Sequence, residues 1–145
     1  MSTSSNRREF LAAAATGAAA FVFSPALRAR SSGWSPSDLE RRPFGKTDLK
    51  VTVLGFGGAE IGYERTEQKD VDALLNGALD AGMNVVDTAE CYADSEVAIG
   101  KAIGKRRQDY HLFTKCGHAP GGVDWSKKGI LKSLERSLER LQTDH

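Results

Sequence analysis

What most limits the fold of this chain is a rhythm. Three times between residues 51 and 141 a short apolar run gives way to a stretch whose apolar residues recur at helical spacing. Residues 51–56 read as a strand. After Thr66, expected as an N-cap with Glu67 and Asp70 in the first turn, Val71, Leu74, Leu75, Ala78 and Leu79 make one helical stripe that Gly82 closes. Residues 83–87 are a second strand, largely apolar as a parallel strand buried on both faces should be. Ser95 is expected to cap a second helix with Val97, Ile99, Ala102 and Ile103 inward and Gly104 near its end. Residues 110–116, YHLFTKC, give a third strand. Beyond the glycine-rich loop GHAPGGVDW, a third helix from Ser126 carries Ile130, Leu131, Leu134, Leu138 and Leu141 as its stripe. Its tandem SLERSLER is helical periodicity with mixed charges, too short for a coiled coil. Strand–helix alternation of this kind means parallel strands joined by right-handed crossovers. Ahead of it, residues 44–56 place two extended runs about the turn Gly45-Lys46-Thr47-Asp48, an expected hairpin.

The first residues have a different character. NRREFLAAAATGAAAFVFSPA has a basic head at Arg7 and Arg8, an apolar run from Phe10 to Phe23, then small residues ending at Ala26. The run is too short and too alanine-rich for a stable bilayer span, and it reads as a signal peptide cleaved after Ala26. Arg7-Arg8-Glu9-Phe10-Leu11 resembles a twin-arginine export signal, with Asn6 and Ala12 departing from its usual flanks. The expected division is therefore a signal at 1–26, a Ser/Pro/Arg-rich linker at 27–43 and one domain at 44–145, in a periplasmic or otherwise exported protein.

The sequence holds 20 basic and 19 acidic residues, and removing 1–26 takes Arg7, Arg8 and Glu9, leaving 18 of each. A neutral chain whose basic residues cluster no further than Lys105-Arg106-Arg107 argues against nucleic acid as a partner. That trio is expected on a solvated helix end. Cys91 and Cys116 would meet an oxidising compartment, but Cys116 should point away from Lys115 along its strand, so two separate buried thiols are expected over a disulfide.

In parallel α/β proteins the functional groups collect at the carboxyl ends of strands. The three ends here carry Gly55-Phe56-Gly57-Gly58, then Asp87 with Tyr92, then Lys115. The glycines miss the dinucleotide fingerprint, because Glu60 holds the third glycine's place and no helix is expected to open there. Missing side chains would instead let a flat ligand ring approach the strand end. Tyr92, Lys115 and Asp87 make a coherent acid. A free phenol titrates near about 10; a lysine ammonium beside it favours the phenolate, and an aspartate keeps that lysine charged and oriented. Such a donor suits hydride addition to a carbonyl, where charge grows on oxygen. On spacing alone, an ion pair between Asp87 and Lys115 with Tyr92 as packing explains the same residues.

LGFGGAEIGY, ALDAGMNVVDTAECYADSEVAIGKAI, LFTKCG and GILKSLERSLERLQTD closely resemble the aldo-keto reductase family, over nearly all of 44–144. The resemblance implies a (β/α)8 barrel whose bottom is plugged by an N-terminal hairpin. It implies reduction of small aldehydes and ketones with NADPH, less often NADH. Asp87, Tyr92 and Lys115 match three members of the family's catalytic Asp-Tyr-Lys-His set. Gly57, Gly58 and Ala59, with Asp87, match the strand ends near the nicotinamide. The family's histidine lies beyond LQTD, and His145 and His118 match no such position. The chain is thus expected to be the hairpin and first three β/α units of the barrel, inactive by itself, with an open sheet edge that invites self-association. The other class weighed is a non-catalytic binding or regulatory subunit of the same fold. A metal site from Asp87, Cys91, Cys116 and His118 lacks ligand spacing, His111 reads as a half-buried strand residue, and Trp125 as a helix-start staple.

Overall fold

The computed structural model describes residues 39–119 and 122–145. The expected signal peptide and most of the linker lie outside the described residues. Strand β1 (Arg41–Pro43) pairs antiparallel with β2 (Lys50–Thr52), so the hairpin starts inside the stretch expected to be linker. Gly45 takes φ +61° in its turn, a conformation glycine adopts without a Cβ penalty.

The expected strand at 51–56 is split. After β2 the chain bends, and β3 (Phe56–Gly57) joins a parallel sheet in the order β3-β4-β5 with β4 (Val85–Asp87) and β5 (His111–Phe113). Gly57 sits opposite Asp87 and Asp87 opposite Phe113. Backbone bonds from Thr88 to Phe113 (2.8 Å) and from Glu90 to Lys115 (3.2 Å) carry the pairing of the last two strands past their formal ends.

Contrary to expectation, a helix does open after the glycines: α1 (Ala59–Tyr63), one turn that buries Ile61 and Gly62. Next comes α2 (Gln68–Asp80), whose N-cap is Glu67, not Thr66, and has no side-chain cap bond. Its buried line is Val71, Leu75 and Leu79, while Leu74 is exposed. Helix α3 (Ser95–Ile103) has Asp94 at its N-cap. Ser95, expected to cap it, is buried and bonds elsewhere. A 3-10 stretch, Gly104–Asp109, leads into β5. Arg106 and Arg107 are not idle surface charges there. Arg106 bonds Asp80, Asp109 and Asn76, and Arg107 bonds the Tyr110 carbonyl and Thr143. A small hairpin, β6 (His118–Ala119) with β7 (Gly122–Val123), precedes α4 (Lys127–Leu141), which begins where expected and which Ser126 caps through the Gly129 N–H.

The core is Ile61, Val71, Leu75, Leu79, Val86, Ile99, Ile103, Tyr110 and Leu141, the apolar lines of α2 and α3 closing over β4 with the end of α4. Asn84, buried before β4, accepts the Thr52 N–H (2.8 Å) and donates to the Lys50 carbonyl (2.9 Å). With Arg41 on the Gly82 carbonyl (3.2 Å), this moors the first hairpin to the amino end of β4, away from Asp87. Phe44 reaches on to Phe113, ring centroids 5.4 Å apart. Helix α4 departs from its expected face. It buries Ser133 and Ser137 with Leu141, and leaves Leu131 and Leu134 exposed.

Candidate active site

The carboxyl ends of β4 and β5 bring the expected residues together. Lys115, two residues past β5, points its ammonium across to β4, where Nζ donates to Asp87 Oδ1 (2.6 Å) and to the Thr88 carbonyl (2.9 Å). Burial alone would lower the Lys115 pKa. The hydrogen bond and charge of Asp87 outweigh it, with a smaller contribution from Tyr92, and hold the ammonium above the ordinary lysine value. Tyr92 lies on the loop after β4, and Lys115 Nζ stands 5.0 Å from its ring centroid. Both members of the ion pair are about half exposed, at 50% and 47%, so the cluster opens to solvent.

The loop is pinned from several sides. Gly58 N–H donates to the Asp87 carbonyl (2.7 Å). Ser95 Oγ donates to the Gly58 carbonyl (2.6 Å) and meets Thr88 Oγ1 at 2.8 Å, both side chains fully buried. Tyr63 of α1 tilts against the Tyr92 ring at 5.7 Å and donates to the Cys91 carbonyl at 3.3 Å. In the sequence, Tyr63 stands out only as a second aromatic at the end of the glycine-rich stretch.

The three residues expected near a cofactor differ. A Cβ on Gly57 would meet nothing within 4 Å, so the backbone there is open to a flat ring, beside Asp87 in register. A Cβ on Gly58 would strike Ser95 Oγ at 2.8 Å and Ile99 at 3.0 Å, so that glycine serves packing inside the chain. Ala59 begins α1 and is half-buried.

Cys91 and Cys116 are both free, and both are exposed where buried thiols were expected. Trp125 is no staple into α4. It is exposed, lies over Gly117 and meets the His118 ring edge-on at 5.9 Å. His118 with Cys91, Ala93, Gly122 and Val123 lines a cavity of about 350 Å³ beside the Tyr92 loop. His111 is half-buried in β5, as expected. Among the described residues no helix is long and apolar enough to cross a membrane.

A sequence profile of the Aldo/keto reductase family matches residues 53–145. The chain belongs to that family. It is 38% identical over 114 residues to L-galactose dehydrogenase of Arabidopsis thaliana, covering 74% of this chain and 36% of that one. It is 33% identical over 115 residues to a probable voltage-gated potassium channel subunit beta of Oryza sativa subsp. japonica, with 74% and 35% covered. Among solved structures, a putative aldo-keto reductase of Pseudomonas aeruginosa superposes with a TM-score of 0.69 at 35% identity, over 77% of this chain and 44% of that one. A holo-form aldo-keto reductase of Bacillus halodurans gives 0.65 at 36% identity, over 74% and 38%. The chain thus spans about a third to under half the length of these relatives, and the fold described is an N-terminal part of the aldo-keto reductase α/β architecture: hairpin, then three β/α units.

Proposed function

We propose that this polypeptide is the proton-donor side of an NAD(P)H-dependent reductase of aldehydes or ketones. The observation that carries the reading is the Lys115 ammonium held between Asp87 and the Thr88 carbonyl with the Tyr92 ring beside it, at the carboxyl ends of parallel strands. An ammonium has three protons, and these bonds use two. The third is available to the Tyr92 oxygen, where it favours the phenolate that remains after the phenol gives its proton to a substrate oxygen. Asp87 keeps Lys115 charged and aimed. A reduced nicotinamide, when bound, supplies the hydride, and the open backbone at Gly57 fits its flat ring. NADPH is the expected form, with NADH second.

The same reading assigns turnover to a larger barrel, since the family's histidine and most of its nucleotide contacts lie on later strands. By itself this chain is proposed to be inactive and to self-associate through the edge at β5. The potassium channel subunit among the relatives favours a second reading, a regulatory subunit that keeps the fold. A retained ion pair at 2.6 Å beside the tyrosine supports the enzyme instead. Export through Arg7 and Arg8 is part of the proposal. To test the activity, residues 41–145 are fused to the remaining units of the Pseudomonas aeruginosa protein and given NADPH with a panel of aldehydes. Carbonyl-dependent NADPH oxidation with one alcohol formed per NADPH is expected. Tight NADPH binding with no alcohol from any aldehyde would favour the regulatory reading.

A further inference from the structure

Resting on that reading, we infer that Glu90 and Glu96 are positioning residues for Tyr92, clamping its loop and the strand of Lys115 to a single face of α4. Glu90 lies two residues before Tyr92 and Glu96 four after it. Their side chains are 0% and 1% exposed, far drier than the Asp87–Lys115 pair they flank. The Glu90 carboxylate accepts from Arg136 Nε and Nη2, both at 2.6 Å, and from the Ser133 hydroxyl. Glu96 accepts from Arg140 at 3.3 Å. Arg136 and Arg140 stand one helical turn apart, so one helix holds both ends of the loop.

Each glutamate also grips the strand that delivers Lys115. Glu90 N–H donates to the Lys115 carbonyl (3.2 Å), and Glu96 accepts from the Thr114 hydroxyl (2.7 Å). Ala93, next after Tyr92, takes φ +45°, a left-handed conformation that a residue with a Cβ holds only where its surroundings impose it. For stability alone such buried pairs are a poor choice, because well-packed apolar residues of similar size commonly do as well or better. What apolar packing cannot reproduce is a directional bond at each end of one loop.

The test reads Lys115 and Tyr92 without cofactor, substrate or turnover, so it stands apart from whether the chain reduces carbonyls. The full chain is prepared with labelled lysine and tyrosine, and Lys115→Arg and Tyr92→Phe assign the two signals. Two variants are compared: Glu90→Gln, and the apolar double variant Glu90→Leu with Arg136→Leu, which removes the pair without stranding a charge. Arg136→Lys, which keeps the charge but not the fork, is read in the same way should either unfold. If Glu90 positions the loop, a folded variant with a near-normal melting temperature shows the Tyr92 ring signal displaced. Its Lys115 titration midpoint falls back toward the ordinary lysine value. Wild-type Lys115 and Tyr92 signals in a folded variant would overturn the inference, since a pair that only stabilises is replaceable by apolar packing.

Discussion

Lys115 Nζ donates to Asp87 Oδ1 over 2.6 Å, so the third parallel strand is tied to the second at the end where chemistry is expected. Because Asp87 supplies the main upward pull on the Lys115 pKa, Asp87→Asn should lower it clearly. Both side chains are half exposed, so the loss of stability should stay within about 1 kcal/mol. Lysine-resolved NMR titration with a urea melt measures both. A large destabilisation with unchanged Lys115 titration would mean that the pair is structural.

The pH dependence of stability should have two distinct limbs. Burial pushes the Glu90 carboxyl up, but the bonds from Arg136 and Ser133 win and hold it below the ordinary value of 4.5. A lowered folded value means that its contribution is complete above 4.5 and is lost as pH falls through the folded value. Lys115 is raised, so its contribution is complete below 10.5 and is lost only as pH rises through the folded value. Glu40, Asp124 and Asp144 are also lowered, but they are fully exposed and salt screens them. Urea melts in about 0.5 M salt should therefore lose stability in acid, and Glu90→Gln should flatten that limb. An unchanged acid limb in the variant would mean that Glu90 is not the group lost there.

Two helical glycines should answer alanine in opposite ways. A Cβ on Gly77, inside α2, would meet nothing within 4 Å, so Gly77→Ala should stabilise by about 0.5–1 kcal/mol through helix propensity. Gly100 of α3 lies against the backbone of Arg140 and Leu141, with Leu141 Cα at 2.9 Å from the added atom. Gly100→Ala should push α4 away and cost about 2 kcal/mol or more. Chemical denaturation of both variants checks the sign as well as the size.

Much of this was legible in the residues, for physical reasons. Parallel strands bring their carboxyl ends together, which places Asp87 near Lys115, but β4, expected to be buried on both faces, buries only Val86 and leaves Val85 half-buried. What escaped were features that depend on facing surfaces. The helix after Gly58 is one turn with glycine at its N-cap, and it exists because Ile61 is buried and Gly62 abuts the Tyr92 carbonyl. The inward face of α4 was misread because leucines normally mark the buried side. Here Ser133 and the two arginines face α3 and the loop before it, since Glu90 and Glu96 are already there, and Ser137 is buried beside them with its hydroxyl unpaired. No periodicity of α4 alone contains that information. Likewise Ser95 stood where a cap is expected, yet its hydroxyl serves the Gly58 carbonyl.

Export should depend on the arginine pair near the start. A reporter carrying residues 1–26 is expected outside the cytoplasm, and Arg7→Lys together with Arg8→Lys should retain it inside. Continued export of the doubly substituted leader would indicate an ordinary secretory signal.

The most direct test of the central claim is Tyr92→Phe in the fused, complete barrel, followed by carbonyl-dependent NADPH oxidation. Removing one hydroxyl leaves the ring against Tyr63 and beneath Lys115, so the fold and NADPH affinity should hold. If Tyr92 is the proton donor, kcat should fall by about two to four decades, the range of a general acid, while KM changes little. Turnover within a factor of about two of the parent would contradict the account.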